Sequence, residues 1–234
     1  MRSSLTLIAV AAVGIVAGGG VGYWYFVKNG ASARPAAISV PAPQAAGAPV
    51  QSAQAGAMPE IAADDFVLGS PDAKVTIVEY ASLTCPHCMR FHTETLPKLK
   101  AEFIDTGKAK LVYRDFPFDE AGLRAAMMER CAGKERFHGF VDVLFKSMDQ
   151  WTREQDWKAA LARIGKLGGM SQEAFDQCLA DKTLETAILT KRLEAAQKFG
   201  VDSTPTFFIN GDRVSGAYPF DHYAQIIRKK LPAS

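Results

Sequence analysis

Two cysteines three residues apart, in Cys85-Pro86-His87-Cys88, stand where a β-branched run gives way to helical spacing, and that junction limits the folds open to the chain. Residues 74–80 (KVTIVEY) have the composition of a buried strand. Residues 86–105 then carry Phe91, Leu96, Leu99 and Phe103 at helical intervals, Gly107 closes the helix, and residues 109–116 (AKLVYRDF) read as a second strand. Strand, helix and strand in this space predict a right-handed βαβ unit with the cysteine pair at the start of its helix. The first helical turn has free N–H groups and the positive end of the dipole, so a thiolate at Cys85 is stabilised there. Cysteines so placed fall from about 8.5 into a range of roughly 3.5–7.5. Pro86 at the first helical position needs no N–H partner, and His87, when protonated, adds a second stabilising charge. A stabilised thiolate stabilises the reduced form, which makes the disulfide form an oxidant.

Glu79 lies six residues before Cys85, inside the apolar strand. An acid there is costly unless it has a partner or a task. The candidate task is proton exchange with Cys88 when that thiol attacks a mixed disulfide; the alternative is a carboxylate reaching water from a strand edge. Residues 120–200 are helical in pattern, with Phe137, Phe140, Val141, Leu144, Phe145 and Met148 on one stripe. Thr152 with Gln155 reads as a capping box opening the next helix, Ser171 as the cap of another, and Gly200 as the end of a long helix from about Thr183. Residues 205–210 (PTFFIN), Gly211-Asp212 and residues 213–215 read as strand, turn and strand, and a closing helix spans about residues 219–231. A cis Thr204-Pro205 bond would expose the Thr204 backbone to an extended peptide.

The 23 residues 5–27 carry no charge and, as a helix, would reach roughly 34 Å, enough to cross a membrane. Tyr23-Trp24-Tyr25-Phe26 at the far end, followed by Lys28, suits an interface, so residues 1–28 read as a transmembrane anchor; a cleaved signal sequence is the alternative. Residues 35–59 hold no charged residue and five of the twelve prolines, so residues 29–63 read as a disordered linker. Beyond residue 60 the basic and acidic residues balance, which disfavours nucleic-acid binding.

The CPHC motif at a helix start, Glu79 six residues earlier, Thr204-Pro205 before FFIN and the mid-chain helices together resemble the DsbA-like thiol:disulfide oxidoreductases of the thioredoxin superfamily. The segment LGSPDAKVTIVEYASLTCPHC (68–88) is similar to their membrane-tethered bacterial branch, and the resemblance covers about residues 62–231. It implies an α/β thioredoxin fold over 64–119 and 183–234, with an inserted helical domain over 120–182. It implies that Cys85 is the exposed nucleophile and Cys88 the buried resolving thiol. Pro86 and His87 would tune the pair, Glu79 would be the buried acid, and Thr204 with cis-Pro205 would form the substrate-binding loop. Cys131 and Cys178 could form a structural disulfide in an oxidising compartment, and some relatives carry one in the helical domain; two buried thiols, or a pair that modulates the active site, are the alternatives.

Met89 after the second cysteine excludes covalent haem attachment, and no second cysteine pair has zinc-like spacing to support a site at Cys85, Cys88 and His92, so no metal or cofactor is expected. His92, His138 and His222 read as surface or packing residues, and Trp151 and Trp157 as core. The expected function is oxidation of reduced exported polypeptides at the periplasmic face of a bacterial inner membrane, with a DsbB-like quinone-linked membrane oxidase restoring the disulfide. The alternatives are a disulfide isomerase or reductase kept reduced by a membrane electron donor, which Thr204 favours, a non-catalytic chaperone on this fold, and a redox helper in cytochrome or copper-protein maturation.

Overall fold

In the computed structural model, residues 58–232 are described; the expected anchor and most of the linker lie outside them. Among the described residues, no helix is long and apolar enough to cross a membrane.

Strand β1 (Phe66–Leu68) leads into β2 (Val75–Ala81), whose β-branched residues fill the middle of a five-stranded sheet. Helix α1 covers residues 86–104, and β3 (Ala109–Asp115) returns parallel to β2 with Glu79 beside Tyr113. Five helices follow: α2 (Glu120–Cys131), α3 (Lys134–Lys146), the single turn α4 (Met148–Trp151), α5 (Trp157–Leu167) and α6 (Gln172–Ala180). The long α7 (Lys182–Phe199) brings the chain back to the hairpin of β4 (Thr206–Ile209) and β5 (Asp212–Ser215), and α8 (Phe220–Lys230) closes it. The sheet order is β1-β3-β2-β4-β5, and every pairing except β2 with β3 is antiparallel.

Strand alternation divides the sheet cleanly. Ile77, Leu111, Phe207 and Ile209 pack against Phe91, Leu99 and Phe103 of α1 and Tyr223 and Ile227 of α8. Val78, Tyr80, Val112 and Phe208 pack with Ala195 of α7 on the other face. The insert's stripe (Phe137, Phe140, Val141, Leu144, Phe145, Met148) joins Trp151, Leu161 and Phe175 in a core that also contains Leu83, Cys85, Cys88 and Tyr113. Trp151 is fully buried and donates to the Leu144 carbonyl at 3.0 Å, while Trp157 is half-buried at its margin.

Ser171 caps α6 by accepting from Ala174 N–H, and Gly200 ends α7 with a left-handed φ of 64°, as the sequence leads one to expect. Thr152 does not open a helix. It ends α4, its hydroxyl donating to the Met148 carbonyl, and Asp156 caps α5 instead by accepting from Ala159 N–H. The two caps compete for one short stretch, and the carboxylate nearer the apolar periodicity of α5 prevails. Helix α1 is widened into π-turns at Phe91–Thr95 and Lys100–Ile104. Pro97 has no N–H to donate and its ring crowds the carbonyl four residues back, so the turn before it loosens.

Cys131, ending α2, is disulfide-bonded to Cys178 of α6 across a sequence separation of 47. A loop of that length confines the unfolded chain by about 4 kcal/mol at most. Replacing both cysteines with serine is expected to lower the unfolding free energy by about 2–4 kcal/mol, read from urea denaturation with Cys85 and Cys88 held reduced.

Candidate active site

Cys85 is the N-cap of α1 and Pro86 its first helical residue. The turn before it is held by Cys85 N–H donating to the Ser82 carbonyl at 3.0 Å. Ser82 and Thr84 hydroxyls are 3.0 Å apart, and Thr84 donates to Asp119 Oδ2 at 2.7 Å. Asp119 also caps α2 through Gly122 N–H, so one carboxylate ties the cysteine turn to the first helix of the insert.

The two sulfurs are free thiols in opposite environments. Cys85 is held down at about 5, chiefly because the Cys88 thiol donates to it; the Thr204 side chain and the N–H groups of Cys88 and His87 act in the same direction, and burial opposes them. Cys88 has no exposed surface and its thiol is pushed well up, first by burial, then by its hydrogen bond to Cys85 and by the nearby charges of Cys85 and Glu79. One sulfur is built to carry charge and the other to keep its proton.

One expectation needs correction here. Cys85 is not broadly exposed: it retains 4% of its surface, because the Thr204-Pro205 loop lies over it. That peptide bond is cis, and the Thr204 carbonyl is 3.4 Å from Cys85 Sγ, where it accepts from the thiol form. The His87 backbone N–H helps to lower Cys85, and the His87 ring Nδ1 accepts from Arg90 Nη2 at 2.7 Å on the exposed side of α1.

Glu79 does not reach water from an edge. It sits on the central strand without exposed surface, and His92 Nε2 lies 3.1 and 3.0 Å from its two oxygens. His92 is the site residue that sequence reading missed. Its position four residues after Cys88 places it on the same side of α1 as that thiol, the one signal that could have found it. The first π-turn of α1 carries it, and the Phe145 ring of α3 stacks on the imidazole at 4.2 Å. His222 stays at the surface, stacked on Tyr218. Among the described residues, no group of three His, Cys, Asp or Glu side chains is arranged to hold a metal ion.

The thioredoxin family model matches residues 62–229. A Rickettsia bellii chain named as a protein-disulfide oxidoreductase is 40% identical over 174 residues, covering 73% of this chain and 66% of its own. Disulfide bond formation protein D of Bacillus subtilis is 30% identical over 172 residues, covering 70% and 76%. The crystal structure of Wolbachia pipientis alpha-DsbA1 superimposes with a TM-score of 0.69 at 34% identity, covering 75% of this chain and 94% of that one. The chain spans less than two thirds of the length of the Rickettsia relatives it matches, 66% of the R. bellii chain and 62% of one from Rickettsia typhi.

The Cys85 thiolate absorbance is expected to titrate with a midpoint near 5, and Cys88→Ala to move that midpoint upward by removing the leading donor. A group depressed from 9.0 to about 5 by folding contributes stability in full above pH 9 and loses it as pH falls to 5. The stability of the reduced protein relative to the oxidised one is therefore expected to shrink from pH 9 to pH 5 and then level off, as read from denaturation midpoints of the two forms.

Proposed function

The chain belongs to the thioredoxin family, on its DsbA-like side, and we propose that it is a disulfide oxidase that passes a Cys85–Cys88 disulfide to reduced exported polypeptides. The observation that carries this reading is the opposed state of the two sulfurs, one held at about 5 and the other pushed well above its ordinary value. A low-pKa sulfur is a good leaving group and a stable thiolate, which favours the reduced enzyme and makes its disulfide oxidising. A substrate thiolate attacks Cys85 Sγ: a substrate–Cys85 bond forms, the Cys85–Cys88 bond breaks, and Cys88 takes up a proton. A second substrate thiolate then attacks the substrate sulfur of the mixed disulfide, closing the substrate disulfide and expelling the Cys85 thiolate. Thr204 with cis-Pro205 is the edge against which the substrate backbone lies during the first attack. Glu79 is the internal acid and base for Cys88, with His92 holding its carboxylate in place.

Reoxidation is assigned to a DsbB-like quinone-linked membrane oxidase, and the site of action to the periplasmic face of the inner membrane, with residues 5–27 as the anchor. Both assignments rest on the resemblance of the chain and on its uncharged N-terminal run. The second reading, an isomerase or reductase, is favoured by threonine before the cis-proline. Acid-quenched thiol trapping in cells separates the two: a pair found mostly as disulfide supports the oxidase, and a pair found mostly as dithiol overturns it in favour of the isomerase. With purified protein, Cys85→Ser is expected to abolish oxidation of a reduced two-cysteine peptide. Cys88→Ser is expected to trap reactive Cys85 in mixed disulfides with glutathione or clients, visible by mass.

A further inference from the structure

A DsbA-like exchange cycle requires Cys88 to gain and lose a proton, yet Cys88 and Glu79 have no exposed surface and Cys85 is covered by the Thr204-Pro205 loop. A cavity of about 420 Å³ lies between α1, the β1–β3 edge and α3, and Cys85 is not among its lining residues. His92 and Tyr113 line it deep in the fold, His138 of α3 forms part of its wall, and the exposed Lys100, Asp142 and Lys146 stand at its rim. Asp142 and Lys146 are paired with each other at 2.7 Å. Leu68, Leu96, Leu111 and Val141 make its middle apolar, with polar groups at its deep end and rim, and its volume has room for several water molecules.

His92 thus has two faces, one bonded to both oxygens of Glu79 and one on the cavity. His138 Nε2 is buried and has no hydrogen-bond partner among the described residues. Burial pushes the His138 imidazole below its ordinary value, a hydrogen bond to the Val67 backbone opposes it and the charge of His92 adds to the lowering, so the neutral ring is favoured, with its unpartnered Nε2 free as an acceptor. Tyr113 is pushed well above its ordinary value by burial, then by the charges of Glu129, Asp115, Glu79 and Cys88, so its phenol keeps its proton and carries no charge through the cavity. Of the groups facing the space, that leaves the two imidazoles as carriers between Glu79 and the rim.

We propose that this cavity is the proton port of the redox pair, with His92 exchanging protons with Glu79 and His138 relaying them between the cavity and solvent. The inference rests on the oxidoreductase reading above. When Cys88 Sγ attacks a disulfide on Cys85, the Cys85–Cys88 bond forms, the outer sulfur leaves as a thiolate, and the Cys88 proton passes to Glu79, then His92, then His138 and solvent. When a substrate thiolate opens the Cys85–Cys88 disulfide, the same proton returns by the same path. His138 touches neither sulfur and acts only through His92.

The test follows reduced full-length protein mixed with oxidised glutathione, with acid quench and mass analysis separating formation of the Cys85 mixed disulfide from its resolution by Cys88. His138→Ala is expected to leave formation unchanged and to slow resolution by about tenfold or more, the scale of a lost proton-transfer group. Free imidazole, small enough for the space vacated, is expected to restore the rate in proportion to its concentration. His138→Gln, which keeps a polar side chain and leaves no hole, is expected to be equally slow and not rescued. Resolution at the wild-type rate and with the wild-type pH profile in both variants would overturn the port, as would slow resolution in His138→Ala that imidazole does not restore. A wild-type protein that forms no mixed disulfide at Cys85 would instead overturn the oxidoreductase reading on which the port depends.

Discussion

The hydrogen bond from the Cys88 thiol to the Cys85 sulfur has a direction because the two atoms are placed at different depths. Cys85 is the N-cap, where the N–H groups of Cys88 and His87 help to lower its pKa. Cys88, one turn inside, faces the apolar core beneath the helix and the carboxylate of Glu79. Charge therefore settles on the outer sulfur and the proton on the inner one. The placement of β2 at the centre of the sheet, the cis-Pro205 loop over Cys85 and the Asp119 tie on the preceding turn all serve to hold the sulfurs in that relation.

The same geometry gives Glu79 a neighbour that a carboxylate at zero exposure requires. Burying an acid without a partner costs several kcal/mol, and His92 Nε2 supplies that partner for both oxygens at once. The π-turn that brings His92 there precedes Pro97, so an interruption in the helix ladder and a residue of the site have one origin. Such turns recur at functional sites because the extra residue re-aims a side chain that regular helical spacing would place elsewhere.

Much of this was legible in the sequence. Residues 74–80 and 109–116, the stripe from Phe137 to Met148, the caps at Ser171 and Gly200, and the CPHC tetrad at the helix start each depend on local pattern, and each element lies within a residue or two of where the pattern puts it. What escaped depends on contacts between distant segments. The Glu79–His92 pair joins a strand to a helix whose turn is altered by a proline, and the Thr84–Asp119 bond spans 35 residues. Thr152 with Gln155 failed as a cap because the motif is short and Asp156, one residue further on, fits the start of α5 better. The covered state of Cys85 was hidden for the same reason, since its cover comes from residues 119 positions away.

The helical insert shares its apolar interior with the cysteine pair: Leu83, Cys85, Cys88 and Tyr113 belong to the same packed cluster as Phe137, Phe145, Trp151 and Phe175. Excising residues 120–182 would thus uncover the underside of the active site rather than remove a separate module. Shared packing of this kind makes the two segments one cooperative unit rather than two that open separately. The insert's outer surface, where Val143 and Leu167 stand exposed, is free of that constraint, while its inner face is bound to the chemistry it covers.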